Sequence, residues 1–281
     1  MRIALLAERL RVEERLLINA FAGRRHEAVL LLPERVQIPL GEPDTGLPDL
    51  VLDRGITTAE RSILATLLAA GGTVVVNRAA TARLLSDRLA LLRHLIVAEI
   101  PVPRTVASFG EEATFAAIET IGYPVLLKSL TVDPAVPVAV VEDQDSAEAI
   151  VEHRTMLGGE RAVLVQRFIA GAGRSVRLAI VGRKLAGIET RQHDGWRPGS
   201  RAAYEPYPEA NPALARLAEQ VVARLGSGTY AIEVIEGPDG PVVVGVGNLA
   251  DFRSLAEREI NVAGTIADFA LAQYGERDHG G

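Results

Sequence analysis

The chain opens on an apolar run at residues 2–7, a stretch of helical periodicity at 13–22 and a second apolar run at 27–32. This is a β-α-β beginning. A turn-rich segment with Pro39, Gly41, Pro43 and Gly46 follows, and then the pattern predicts a strand at 50–53, a helix at 58–70 and a strand at 73–76. Strands alternating with helices imply a parallel, Rossmann-like sheet covered on both faces. We place the end of this first unit near residue 84, giving an N-terminal domain over 1–84.

The pattern then changes character. A helix is expected at 87–98, closed by Ile100-Pro101-Val102-Pro103 because proline cannot continue it. Short strands at 105–107, 123–128, 136–141 and 162–168, with helices at 111–120 and 145–156, make a small α+β unit over 85–167. From 168 to 281 the expected elements are antiparallel strands at 175–181 and 184–190 meeting at Gly182, a helix at 212–225, and strands at 229–235 and 242–246. The last two are joined by the turn sequence Gly237-Pro238-Asp239-Gly240. Residues 276–281 are expected to fray.

Composition narrows the function. With 281 residues and 48% hydrophobic content, each unit has material for a core. No stretch approaches the roughly 18 apolar residues of a membrane span, so a cytoplasmic protein that does not cross a membrane is expected. Cysteine is absent and the five histidines show no ligand spacing, which argues against structural zinc. A net charge of −6 argues against nucleic-acid binding. Of the 30 basic residues all but Lys128 and Lys184 are arginines. That is coding bias in the main, but a surviving lysine marks a place where a compact ammonium resists replacement by a planar fork.

Glu8-Arg9-Leu10-Arg11 with Glu13-Glu14-Arg15, Asn77-Arg78, Asp87-Arg88, Gly122-Tyr123-Pro124-Val125 and the late strands occur in an order and spacing that resembles the ATP-grasp superfamily. The nearest likeness is to the LysX type, related to the ribosomal-protein glutamate ligases, and it covers nearly the whole chain. The resemblance implies an ATP-grasp fold, α/β and α+β, with an N-terminal pre-ATP-grasp domain. It also implies ATP and Mg²⁺ as cofactors, an amino-acid substrate, and an acidic carrier protein whose carboxylate is activated as an acyl phosphate. Homo-oligomers, or hetero-oligomers with an active ligase, are expected of such a chain.

Carried over residue by residue, the resemblance makes Lys128 the holder of the α- and β-phosphates, where a point charge can follow several oxygens. Arg88 stands where a second phosphate-binding lysine is usual. Gln166, Phe168 and Ile169, with Arg167 in place of an acidic residue, match the hinge whose backbone reads the adenine edge. Arg177 would face the reacting phosphate, Arg191 would clamp a substrate carboxylate, and Glu233 would be a magnesium ligand. Each position also has a plain reading as a solvated end or a buried strand. Arg9, Arg11, Arg15 and Arg54 offer a basic surface to an acidic carrier, or simply solvated charge.

The pattern fails at the metal and at the phosphate lid. Gly245 and Gly247 replace the Glu and Asn of a Glu-x-Asn metal pair, and magnesium needs near-octahedral oxygen ligands. Asn248 and Asp251 are the candidate substitutes, although strand alternation points Asn248 away. Residues 129–137 contain no glycine, two prolines and Asp133 where backbone amides should close over phosphate. Two functions follow: a carboxylate–amine ligase with weakened or lost catalysis, or a non-catalytic relative that binds a carrier, a nucleotide or an active ligase subunit. A Rossmann oxidoreductase is excluded because no strand runs into a Gly-x-Gly-x-x-Gly turn.

Overall fold

The structure is a computed structural model and describes residues 1–41, 46–136, 138–156, 162–171, 173–192, 205–207 and 211–277. Pro43, Pro137 and the last four residues of the expected frayed tail lie outside them. In the first unit β1 (Ile3–Leu6), α1 (Val12–Ala22), β2 (Ala28–Leu31), β3 (Leu50–Asp53), α2 (Ala59–Ala70) and β4 (Val74–Val76) build a parallel sheet in the order β2-β1-β3-β4. Strands β1 and β3 are buried along their whole length, as an interior parallel sheet requires.

The expected helix at 87–98 is preceded by one that the pattern did not show, α3 (Ala79–Ser86). It presents Ala82 and Leu85 to the interior. Asp87 ends it and caps α4 (Arg88–Val97), accepting a hydrogen bond from the Ala90 N–H at 2.8 Å. Next come β5 (Thr105–Phe109), α5 (Glu111–Ile121), β6 (Val125–Ser129), β7 (Ala139–Val141), α6 (Gln144–Met156) and β8 (Ala162–Arg167). They form an antiparallel sheet in the order β5-β8-β6-β7, backed by an apolar cluster that includes Ile118, Val125, Leu127 and Val165.

The third sheet runs β11-β10-β9-β12-β13. It comprises β9 (Arg174–Gly182), β10 (Lys184–Gln192), β11 (Glu205–Pro206), β12 (Gly228–Gly237) and β13 (Gly240–Asn248), with α7 (Pro212–Leu225) between β11 and β12. Gly182 makes the β9–β10 turn at φ 66°, a left-handed conformation that favours glycine. Period-two alternation sends Val176, Leu178 and Ile180 toward α7 and α4, while Ala179 and Val181 face the first domain. Two helices absent from the sequence expectation finish the chain, α8 (Arg253–Glu257) and α9 (Val262–Arg277). Glu276 and Arg277 therefore belong to a helix rather than to a frayed end.

Helix α9 joins the first and third sheets in one apolar cluster, where Leu5, Leu17, Phe21 and Leu52 meet Ala231, Phe252, Ile266 and Ala270. Each fully buried large aliphatic or aromatic side chain contributes roughly 1.5–3 kcal/mol. Polar straps reinforce the junction. The Asn77 amide donates to the Thr229 carbonyl (3.0 Å) and to Asn248 Oδ1 (2.9 Å), and accepts from the Thr229 N–H (2.6 Å). Arg54 is fully buried against Glu14 at 3.4 Å, donates to the Leu249 and Ala250 carbonyls, and lies 5.3 Å from the Phe252 ring centre. Among the described residues no helix is long and apolar enough to cross a membrane.

Candidate functional site

A cleft of about 660 Å³ lies between the second and third sheets. Strand β6 shows how its lining arises: Val125, Leu127 and Ser129 are buried on one face, so Leu126 and Lys128 face the other and line the cleft. Gln166, Arg167, Phe168 and Ile169 line it from the end of β8, and Arg174, Ser175, Arg177, Arg191, Glu233 and Gly245 from the third sheet. Of the residues singled out in the sequence, Lys128, Gln166, Phe168, Ile169, Arg177, Arg191 and Glu233 are thus brought together. Arg88 lies beside them, lining an adjoining pocket with Lys128, Gln166 and Gly245.

The Lys128 ammonium donates to Gln166 Oε1 at 2.6 Å, and the Gln166 amide donates to Thr105 Oγ1 at 2.9 Å. Gln166 is therefore engaged through its side chain, which ties the lysine to β5, a contact that a backbone-only reading of this segment missed. Burial, helped by the nearby Arg88 guanidinium, pushes the Lys128 ammonium down to about 8. At the end of β8 the N–H groups of Arg167 and Phe168 donate to the carbonyls of Arg104 (2.8 Å) and Pro124 (3.2 Å).

Arg88 is drawn to the loop after β6. Its Nη1 donates to the Ser129 carbonyl (3.2 Å), to Ser129 Oγ (2.5 Å) and to the Thr131 carbonyl (2.5 Å). The same loop is pinned from the other side: the Val132 N–H donates to the Ser86 carbonyl, the Ala135 N–H to Asp133 Oδ1 and the Val136 N–H to the Asp133 carbonyl. Those three donors are thus engaged within the protein.

On the third sheet Glu189, Arg177, Glu233 and Gly245 stand in one cross-strand row over β10, β9, β12 and β13. Arg177 Nε donates to Glu233 Oε1 at 2.8 Å, and its Nη1 lies 3.8 Å from Asp251 Oδ2. Glu189 is fully buried and accepts from the Ser254 hydroxyl. Burial pushes its carboxyl up to about 7 despite that hydrogen bond and the Arg177 charge. Sequence reasoning missed Glu189. The one hint was its parity with Arg191 on β10.

Among the described residues, the side chains around Glu233 do not make a magnesium site. Glu233 faces a guanidinium, and across a bulge in β13 its partner Gly245 has open space where a side chain would project, as does Gly247. Asn248 is buried and donates to the Gly55 carbonyl at 3.1 Å, on the opposite side of the strand, so it is no substitute. Asp251 approaches Arg177 instead. Among the described residues no group of three acidic or histidine side chains is placed to hold a metal. The basic surface also shrinks: Arg54 is buried and Arg11 pairs with Glu14 at 2.7 Å, which leaves Arg9 and Arg15 exposed.

A parallel-sheet domain followed by two antiparallel sheets that face each other across a cation-rich cleft defines the ATP-grasp class. Residues 3–84 match the family model of the LysX preATP-grasp domain and residues 85–269 that of the RimK-like ATP-grasp domain. The chain belongs to the RimK-like ATP-grasp family. It is similar to the glutamate–LysW ligase ArgX of Sulfurisphaera tokodaii, 23% identical over 98% of this chain and 99% of that protein. The α-aminoadipate–LysW ligase LysX of the same organism is 23% identical over 73% of this chain and 74% of that one. Among solved structures, a RimK domain ATP-grasp protein from Sphaerobacter thermophilus DSM 20745 is 65% identical. It superposes with a TM-score of 0.89 over 96% of this chain and 100% of its own.

Proposed function

We propose that the cleft binds an adenine nucleotide and that the chain descends from LysX-type carboxylate–amine ligases with its own ligation weakened or lost. The ancestral reaction would join glutamate or α-aminoadipate to the C-terminus of an acidic carrier in the cytoplasm; the two relatives are named as ligases of glutamate and of α-aminoadipate to LysW. The observation that carries the reading is the convergence of Lys128, the residue 166–169 edge, Arg177 and Arg191 on one cleft from two sheets.

In that cleft Lys128, held by Gln166, would neutralise phosphate oxygens, and Phe168 and Ile169 would cover the base. Arg191 would receive a substrate carboxylate through two parallel N–H donors. Arg177, tied to Glu233, would stand where charge builds on a transferred group. In the loop that should close over the phosphates the Val132, Ala135 and Val136 amides are engaged within the protein, and this supports weakened rather than full activity.

The test is ADP release from ATP with glutamate or α-aminoadipate and a LysW-type carrier. The expected result is little or no turnover together with measurable nucleotide binding that Lys128→Ala abolishes. Brisk turnover lost in Lys128→Ala would overturn the claim of weakened catalysis. The engagement of those amides also favours a second reading, a non-catalytic partner of a carrier or of an active ligase subunit. Co-purification with either would support it.

A further inference from the structure

Resting on the nucleotide reading, we propose that this cleft takes its nucleotide as the free polyphosphate, without a divalent cation, and that cationic side chains supply the neutralisation a protein-held metal would give. Three observations carry this. First, the described lining holds Lys128, Arg167, Arg174, Arg177 and Arg191 against one lining carboxylate, Glu233, and cations remain in excess even with Glu236 paired to Arg174 at 2.8 Å and Asp251 3.8 Å from Arg177. A free triphosphate is more negative than its magnesium complex, so a field of this sign favours the uncomplexed form.

Second, the one carboxylate is already engaged. Glu233 holds Arg177 at 2.8 Å, so a divalent ion entering there would lie beside a guanidinium and would have to displace it or suffer its repulsion. Third, the neighbouring strand offers nothing in compensation. Gly245, in register with Glu233, and Gly247 beyond it leave open space where two further oxygen ligands would stand, and magnesium gives up its water reluctantly for an incomplete set.

The cleft also has the polarity that such a ligand needs. Its wall is apolar at Leu126, Phe168, Ile169 and Ile235, which suits a planar base, and cationic toward Lys128 and Arg191, which suits a polyanion. Attraction of this kind is screened by salt, so the affinity should fall as ionic strength rises.

Calorimetric titration of the full chain with ATP, once in EDTA and once in excess Mg²⁺, decides the matter. Equal or tighter binding in EDTA is expected. Binding about tenfold or more tighter with Mg²⁺ would overturn the metal-free site while leaving the nucleotide reading intact. No binding in either condition would overturn both. The open space at the two glycines provides a second arm, Gly245→Glu with Gly247→Asn, which neither position obstructs. That variant is expected to bind ATP about tenfold or more tighter in Mg²⁺ than in EDTA, and an unchanged preference for the free form would count against the assignment. The wild-type titrations stand whether or not the variant folds.

Discussion

Glu189 shows what a single side chain adds beyond its type. Its carboxyl is pushed up to about 7 by burial, so the folded state holds a proton that the unfolded chain has released above about 4.5. A carboxyl raised in this way gives stability that is fully present below the unfolded value and is lost as pH rises through 7. Wild-type protein should therefore lose of the order of 2 kcal/mol more than Glu189→Gln between pH 5 and pH 8. Chemical denaturation of both proteins at the two pH values measures the difference, and parallel curves would refute the buried-acid account. Lys128 was legible in the sequence, because it is one of two lysines and ends an apolar strand. Glu189 was not, because its meaning depends on lying opposite Arg177, and cross-strand register is invisible in one strand's own pattern.

At the scale of elements, the strands were legible wherever one face is buried, since period-two alternation then shows which side chains point inward. The closing helix α9 was not, because it packs against both the first domain and the third sheet and so lacks a clean polar face. The loop after β6 illustrates a different limit. Its want of glycine was plain, but the staple that holds it comes from Arg88, 41 residues away. Arg88→Ala should release that loop at a cost of about 1–3 kcal/mol, since a charged donor and its acceptors lose their partners. Hydrogen exchange would report it as faster labelling over residues 129–132 with little change in β9 and β12; unchanged labelling there would contradict the staple.

For the whole molecule, the division into a parallel-sheet unit and two antiparallel ones could be read from the order of elements. The bonds that lock them together could not. Arg54 looked like surface charge in the sequence, yet it is buried across the junction and its guanidinium is pushed down to about 10, chiefly by desolvation. Arg54→Ala would leave the Glu14 carboxylate buried with only Arg11 as a partner, a loss of about 3–5 kcal/mol for a broken buried pair. Thermal unfolding should show a clearly lower midpoint, and a near-neutral result would place Arg54 outside the stabilising network.

The apolar cluster behind the second sheet has a mechanical consequence. Its members, with the residues packed on them, all lie between Val106 and Val165, whereas the first and third sheets share theirs through α9. The cleft is thus a jaw whose two sides belong to different cores. A change in the width of the cleft would therefore fall on the Arg88 and Val132 contacts with the loop after β6 and on the chain crossings before β5 and at residues 168–171, and would leave each interior closed to water.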